Sequence, residues 1–151
     1  MSHVTVLIAT FLLSATMAGD QAKPAAKTGA KPAAATAALQ GTWVMTSMNG
    51  QAPPAGEPEL TLTFAGDTYH QTVGGKVNER GTIKVDGTKK PMTIDLLITE
   101  GSDANKTQLG IFEVTGDTLK AAFGAPGATQ RPTDFSGKDG FIAVMKKQKK
   151  G

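Results

Sequence analysis

At 151 residues, with 39% hydrophobic and 19% charged residues, the chain is long enough for one packed domain and too short for two of ordinary size. It contains no cysteine, which excludes disulfides, thiolate catalysis, cysteine-ligated metals and a lipid anchor on cysteine. The net charge of +3 resides in the ends: Lys23, Lys27 and Lys31 stand against Asp20 in residues 1–38, and Lys146, Lys147, Lys149 and Lys150 close the chain, so the body between them is slightly acidic and the charge does not imply a nucleic-acid groove.

Residues 4–13 form an apolar run too short for a comfortable membrane span. Small residues at Thr16 and Ala18 follow it, in the −1/−3 pattern of a signal peptidase site. The segment 1–18 is therefore expected to be a signal peptide cleaved after Ala18, with an uncleaved anchor as the alternative. Residues 19–38 repeat Ala, Lys, Pro and Thr, with no aromatic and no large aliphatic side chain. Pro24 and Pro32 interrupt the helical tendency of the alanines, and a disordered tether is expected, or else a lysine-rich binding tail.

From Leu39 onward the dominant period is two, as in half-buried strands. The first strand is expected over 41–48 and ends at Asn49-Gly50. A loop containing Pro53, Pro54 and Pro58 leads to a second strand at 59–64, where Leu60, Leu62 and Phe64 share one face and Thr61 and Thr63 the other. Ala65-Gly66-Asp67 turns into a third strand at 68–73, and Gly74-Gly75 marks a tight hairpin. The fourth strand, 76–85, puts Val77, Glu79, Ile83 and Val85 on one face. After a loop at 86–91, the fifth strand, 92–99, carries the stripe Met92, Ile94, Leu96 and Ile98. Residues 101–105 turn the chain into a sixth strand at 107–114, and Gly116-Asp117 leads to a seventh at 119–123. A Gly/Pro-rich loop runs over 124–139 before an eighth strand at 141–146.

Eight strands with mostly short links and no amphipathic crossover helix predict an all-β, eight-stranded antiparallel up-and-down barrel over 39–147, with a basic tail at 148–151. Closure removes the exposed sheet edges of an open meander. A two-sheet sandwich is the alternative, because alternation alone does not prove closure.

The stretches Leu39-Gln40-Gly41-Thr42-Trp43, Phe64-Ala65-Gly66-Asp67, Gly81-Thr82-Ile83-Lys84-Val85-Asp86, Lys89-Lys90-Pro91, Ile94-Asp95, Gly110-Ile111-Phe112-Glu113-Val114, Gly116-Asp117-Thr118-Leu119-Lys120 and Arg131-Pro132-Thr133-Asp134-Phe135 span nearly all of residues 39–147. In this order they resemble a lipocalin-like domain family of unknown function found in exported planctomycete proteins. The resemblance implies a barrel and export, and it carries over no catalytic residue and no ligand. In true lipocalins, to which the likeness is looser, an arginine near the last strand packs over the tryptophan at the barrel end. Arg131 and Lys146 are the candidates for that place here.

Trp43, the sole tryptophan, is expected to plug one end of the barrel and so also to floor any cavity. Glu79 is unusual. Strict alternation puts its carboxylate on an apolar face, where it would be costly unpaired. A bulge at Arg80-Gly81, a mouth position, an interior ion pair and a ligand-contacting acid all remain open. Asp95 is expected to face solvent or to cap the Lys89-Lys90 loop. His70 is alone after the leader, and Asp103-Ala104-Asn105 imitates the start of a calcium loop without its glycine or final glutamate, so neither metal nor cofactor is expected. No nucleophile elbow, phosphate loop or zinc-protease signature occurs, and the expected protein is not an enzyme.

Two readings follow. The first is an exported, periplasmic or extracellular monomer that binds a small apolar or amphipathic molecule, with Trp43, Met45, Phe64, Tyr69, Glu79, Phe112 and Phe123 near the ligand. The second is a tethered envelope module with a filled core, using its outer face, its long loop or weak contacts of its lysine tails with anionic surfaces.

Overall fold

The computed structural model describes residues 30–150, with side chains from residue 34. The expected leader and residues 19–29 of the expected tether lie outside the described residues. The strands are β1 (Gly41–Met48), β2 (Leu60–Ala65), β3 (Thr68–Val73), β4 (Lys76–Asp86), β5 (Met92–Glu100), β6 (Thr107–Thr115), β7 (Thr118–Phe123) and β8 (Phe141–Lys147). Each pairs antiparallel with the next, and β1 pairs with β8 through Trp43↔Lys147 and Met45↔Met145. The sheet is thus a closed barrel, which rules out the sandwich. The hydrophobic alternation placed every strand within a residue of its observed ends.

Inward positions follow the period of two. Trp43 and Met45 on β1, Leu62 and Phe64 on β2, Ile94 and Leu96 on β5, and Leu119 and Ala121 on β7 join one buried cluster. The threonines of the opposite face pair across strands instead. Thr42 and Thr63 hydroxyls lie 2.9 Å apart, and Thr61 bonds Thr72. Gly81 is an inward position that only glycine can occupy, because a Cβ there would sit 2.1 Å from the Leu97 carbonyl oxygen and 2.7 Å from the Tyr69 ring. The Tyr69 ring takes that space.

The barrel is preceded by a helix, α1 (Ala30–Leu39), which corrects the tether expected through residue 38 over its last residues only. Pro32 falls in the first turn, where its missing N–H has no intrahelical partner to lose. The alanines then propagate the helix. Ala35 and Leu39, four residues apart, share one face and are 6% and 1% exposed within the barrel cluster. The helix ends at Leu39, and Gly41, the first residue of β1, turns the chain with a φ of +108°. Gln40 fastens the junction. Its side-chain amide donates to the carbonyls of Thr36 and Gly66 and accepts from the Gly66 N–H. Because α1 leads directly into β1 and also touches β4 on the far side of the ring, it lies across the barrel opening at the Trp43 end.

Candidate ligand site at the barrel mouth

The helix end of the barrel is occupied. Trp43 is fully buried, and its Nε1 donates to the Leu39 carbonyl at 2.6 Å. That carbonyl is one of the helix's last, with no partner within α1. Lys147 Nζ stands 5.2 Å from the Trp43 ring centroid, a cation–π contact. The cation over the tryptophan is therefore neither Arg131 nor Lys146, the two residues expected for that place. Lys146 points to the other face and donates to the Thr118 hydroxyl. Lys147 has the inward parity of Met145 and lies directly opposite Trp43 in the ladder, so register selects it.

Arg131 has a different task. It reaches from the long loop at 124–140 over the outer wall of β5 and β6 and donates to the carbonyls of Ile94 and Gly110. One guanidinium nitrogen lies 2.6 Å from Asp95 Oδ1, an ion pair to a buried oxygen that has no hydrogen-bond partner among the described residues. Asp95 thus lies on the outer face, opposite the stripe from Met92 to Ile98 as expected, but its ion-pair partner is Arg131 and not the Lys89-Lys90 loop. Farther along the same loop Pro132 is buried, and Phe135 lies under Lys120 Nζ at 4.8 Å. The loop is a strap on the wall.

Of the seven residues expected near a ligand, Trp43, Met45, Phe64, Tyr69, Phe112 and Phe123 are all buried on inward positions. They pack on one another and on Ile94, Leu96 and Met145. Phe64 and Tyr69 rings are 6.4 Å apart, and Phe123 fills the space above Gly110 and meets Phe141 at 5.8 Å. Glu79, the seventh, is partly buried and accepts a 2.7 Å hydrogen bond from the Tyr69 hydroxyl. Burial, that bond and the Glu79 charge all raise the Tyr69 pKa, so the phenol remains a proton donor.

The register shift expected at Arg80-Gly81 is present against β5, and a second irregularity lies beside it against β3. Against β3 the extra residue is Asn78, which turns Val77 outward while Glu79 stays in line with Gly81 and Ile83. Against β5 the register does shift between Arg80 and Gly81, but the extra residue is Thr99 of β5. Val77 and Glu79 therefore do not share a face. Two side-chain amides also hold inward positions. Gln71 faces Glu79 across β3 and β4, and Gln108, 8% exposed, donates to the Gly124 carbonyl.

The opposite end of the barrel, the mouth, carries a concavity of about 440 Å³. Its floor is Met45, the only one of the seven expected residues that lines it. Its construction follows from β1. The register against β8 slips between Met45 and Ser47, so Met48 emerges at the rim, 41% exposed. Asn49 and Gly50, both with positive φ, reverse the chain, and Met48 and Gln51 exchange backbone hydrogen bonds. The loop at 52–59 then returns over the opening. It is held by Glu57 N–H to Pro54 O at 3.1 Å and Gly74 N–H to Glu59 O at 2.9 Å. Ala52, Pro53, Pro54, Pro58 and Leu60 supply apolar walls, and Asn49, Gln51, Glu57 and Glu59 a polar rim.

These loop residues escaped the sequence reading. The available signal was length: after Asn49-Gly50 has already reversed the chain, nine more residues and three prolines precede β2, which a hairpin does not need. His70 lies in mid-strand opposite Arg80 and Thr63, and Asp103 pairs with Lys106 at 2.8 Å inside its own turn. Among the described residues no three His, Asp or Glu side chains converge as metal ligands do, and no helix is long and apolar enough to cross a membrane.

No protein-family model matches the chain, and no curated protein matches it.

Proposed function

We propose that this barrel is an exported binding module that holds a small apolar or amphipathic molecule at its mouth without transforming it. The supporting observation is the 440 Å³ concavity between Met45, Leu60 and the proline-rich loop. Its volume lies in the range of roughly 300–1,000 Å³ typical of small-molecule sites, and apolar walls with a few polar groups suit such a ligand. An eight-stranded barrel is only wide enough to be filled by its own side chains or to hold one small ligand, and here buried side chains occupy the interior. Kinship with the lipocalin-like family of exported proteins, and residence outside the cytoplasm, belong to the same proposal. They rest on the barrel, the apolar leader and the residues quoted for the resemblance.

The test is titration of the protein with N-phenyl-1-naphthylamine, an uncharged apolar fluorophore. Saturable one-to-one binding is expected, and Ala52→Trp, which fills the groove from an exposed position, should abolish it while leaving the melting temperature within a few degrees. Binding unchanged by Ala52→Trp moves the ligand elsewhere. Export has its own measurement. N-terminal sequencing of the secreted form should begin at Gly19, and a secreted chain that begins at Met1 or Ser2 removes the cleavage proposal.

The second reading is a tethered interaction module. It draws on the packed interior and on a second concavity of about 480 Å³ outside the barrel, where Lys84, Lys89 and Lys90 surround the Arg131–Asp95 pair. Failure of all apolar probes at the mouth would favour it.

A further inference from the structure

We propose that the mouth groove selects amphiphiles with a cationic head over neutral or anionic ones, an inference that rests on the mouth being the ligand site. Among the described residues that line it two are ionisable, Glu57 and Glu59, and none is a lysine or arginine. Both carboxylates are held by anchored backbone. The Glu57 N–H is tied to Pro54, and the Glu59 carbonyl accepts from Gly74. Among the described residues neither carboxylate has an ion pair or side-chain hydrogen bond, unlike those of Asp95, Asp103 and Glu100, each matched by a cation, or of Asp86, held by Thr88. The groove thus offers an apolar trough ending in two unmatched negative charges.

A fatty acid or anionic detergent would bring a third negative charge to that rim. An alkyl ammonium would put its methylenes against Met45, Met48 and Leu60 and its nitrogen beside the two glutamates. Exposed charge pairs are weak in water, so each carboxylate changes affinity by about twofold or a little less, attracting a cationic head and repelling an anionic one, and the two together give roughly tenfold between head groups of opposite sign at low ionic strength. Salt near 0.5 M should compress that ratio toward one, because screening acts within a few ångströms there.

The experiment uses three ligands with the same ten-carbon tail below their aggregation thresholds: decyltrimethylammonium, decyl maltoside and decanoate. Each displaces the fluorophore from the intact protein at low and high salt. The expected order is cation, then neutral, then anion, with about tenfold between the extremes. Glu57→Gln with Glu59→Gln should erase the order and leave decyl maltoside affinity within twofold, whereas Glu100→Gln should leave the order intact. Equal affinities for the three, or an order that survives the double substitution, overturn the charge selection and leave the mouth site standing. Failure of all three to displace a fluorophore whose binding Ala52→Trp abolishes overturns the charge selection alone, whereas a fluorophore that binds the Ala52→Trp variant equally well removes the mouth site and the charge selection together.

Discussion

Trp43→Ala should lower the free energy of unfolding by about 3–5 kcal/mol. The indole is fully buried at the helix end of the barrel, in contact with the main cluster, and its removal leaves a cavity that rigid ladder strands cannot close. Two polar losses accompany the cavity. The Leu39 carbonyl loses its 2.6 Å donor, and Lys147 loses the ring beneath its ammonium. Trp43→Phe separates these effects: it keeps much of the volume and forfeits the hydrogen bond, for which about 1 kcal/mol is expected. Urea unfolding followed by far-ultraviolet circular dichroism measures all three proteins. A loss under about 1 kcal/mol for the alanine variant is incompatible with a plug role for this side chain.

Leu39→Ala should cost about 2–5 kcal/mol, although Leu39 precedes the first strand. Its side chain is 1% exposed and, with Ala35, forms the face by which α1 covers the barrel opening. Deleting residues 30–39 should cost at least as much, since it also strips Trp43 of its acceptor and Gln40 of its helix contact. A freely moving segment would predict no change for either variant. Thermal and urea melts of the substitution and the deletion decide the matter, and superimposable curves with the intact chain would eliminate α1 as a structural cap.

The two experiments bear on how far local pattern reaches. The strands were legible because each buries one face, and a period of two over five or more residues leaves little freedom of register. Leu60, Leu62 and Phe64, or Met92 to Ile98, announce their inward face without any knowledge of their neighbours. The tight turns were legible as well, since Asn49-Gly50 and Gly74-Gly75 adopt positive φ that other residues avoid. In α1, by contrast, two contacts decide the outcome. A ten-residue alanine helix carries no periodic signal beyond Ala35 and Leu39 and is marginal by itself. It gains stability only when an open barrel end is available to cover.

The same division runs through the candidate site. Composition and alternation established that Trp43, Met45, Phe64, Tyr69, Phe112 and Phe123 point inward, but not that they pack against one another and leave the concavity at the mouth. Whether an inward side chain lines space or fills it depends on strand number, shear and the facing residues, which are distant in sequence. Glu79, Arg131 and Lys147 make the point for charge. Local sequence flagged Glu79 as costly, yet its partner is the Tyr69 hydroxyl, ten residues away and reached through a bulge at Asn78. Arg131 meets Asp95 only because a loop after β7 folds back over β5, and Lys147 meets Trp43 only because the last strand closes on the first. Strand identity, turn chemistry and, away from the irregular stretch at Val77, facing are properties of neighbouring residues, and the sequence by itself determined them. Closure, the helix cap, the charge partners and the mouth groove arise from contacts between residues far apart in the chain, and only the tertiary structure decided them.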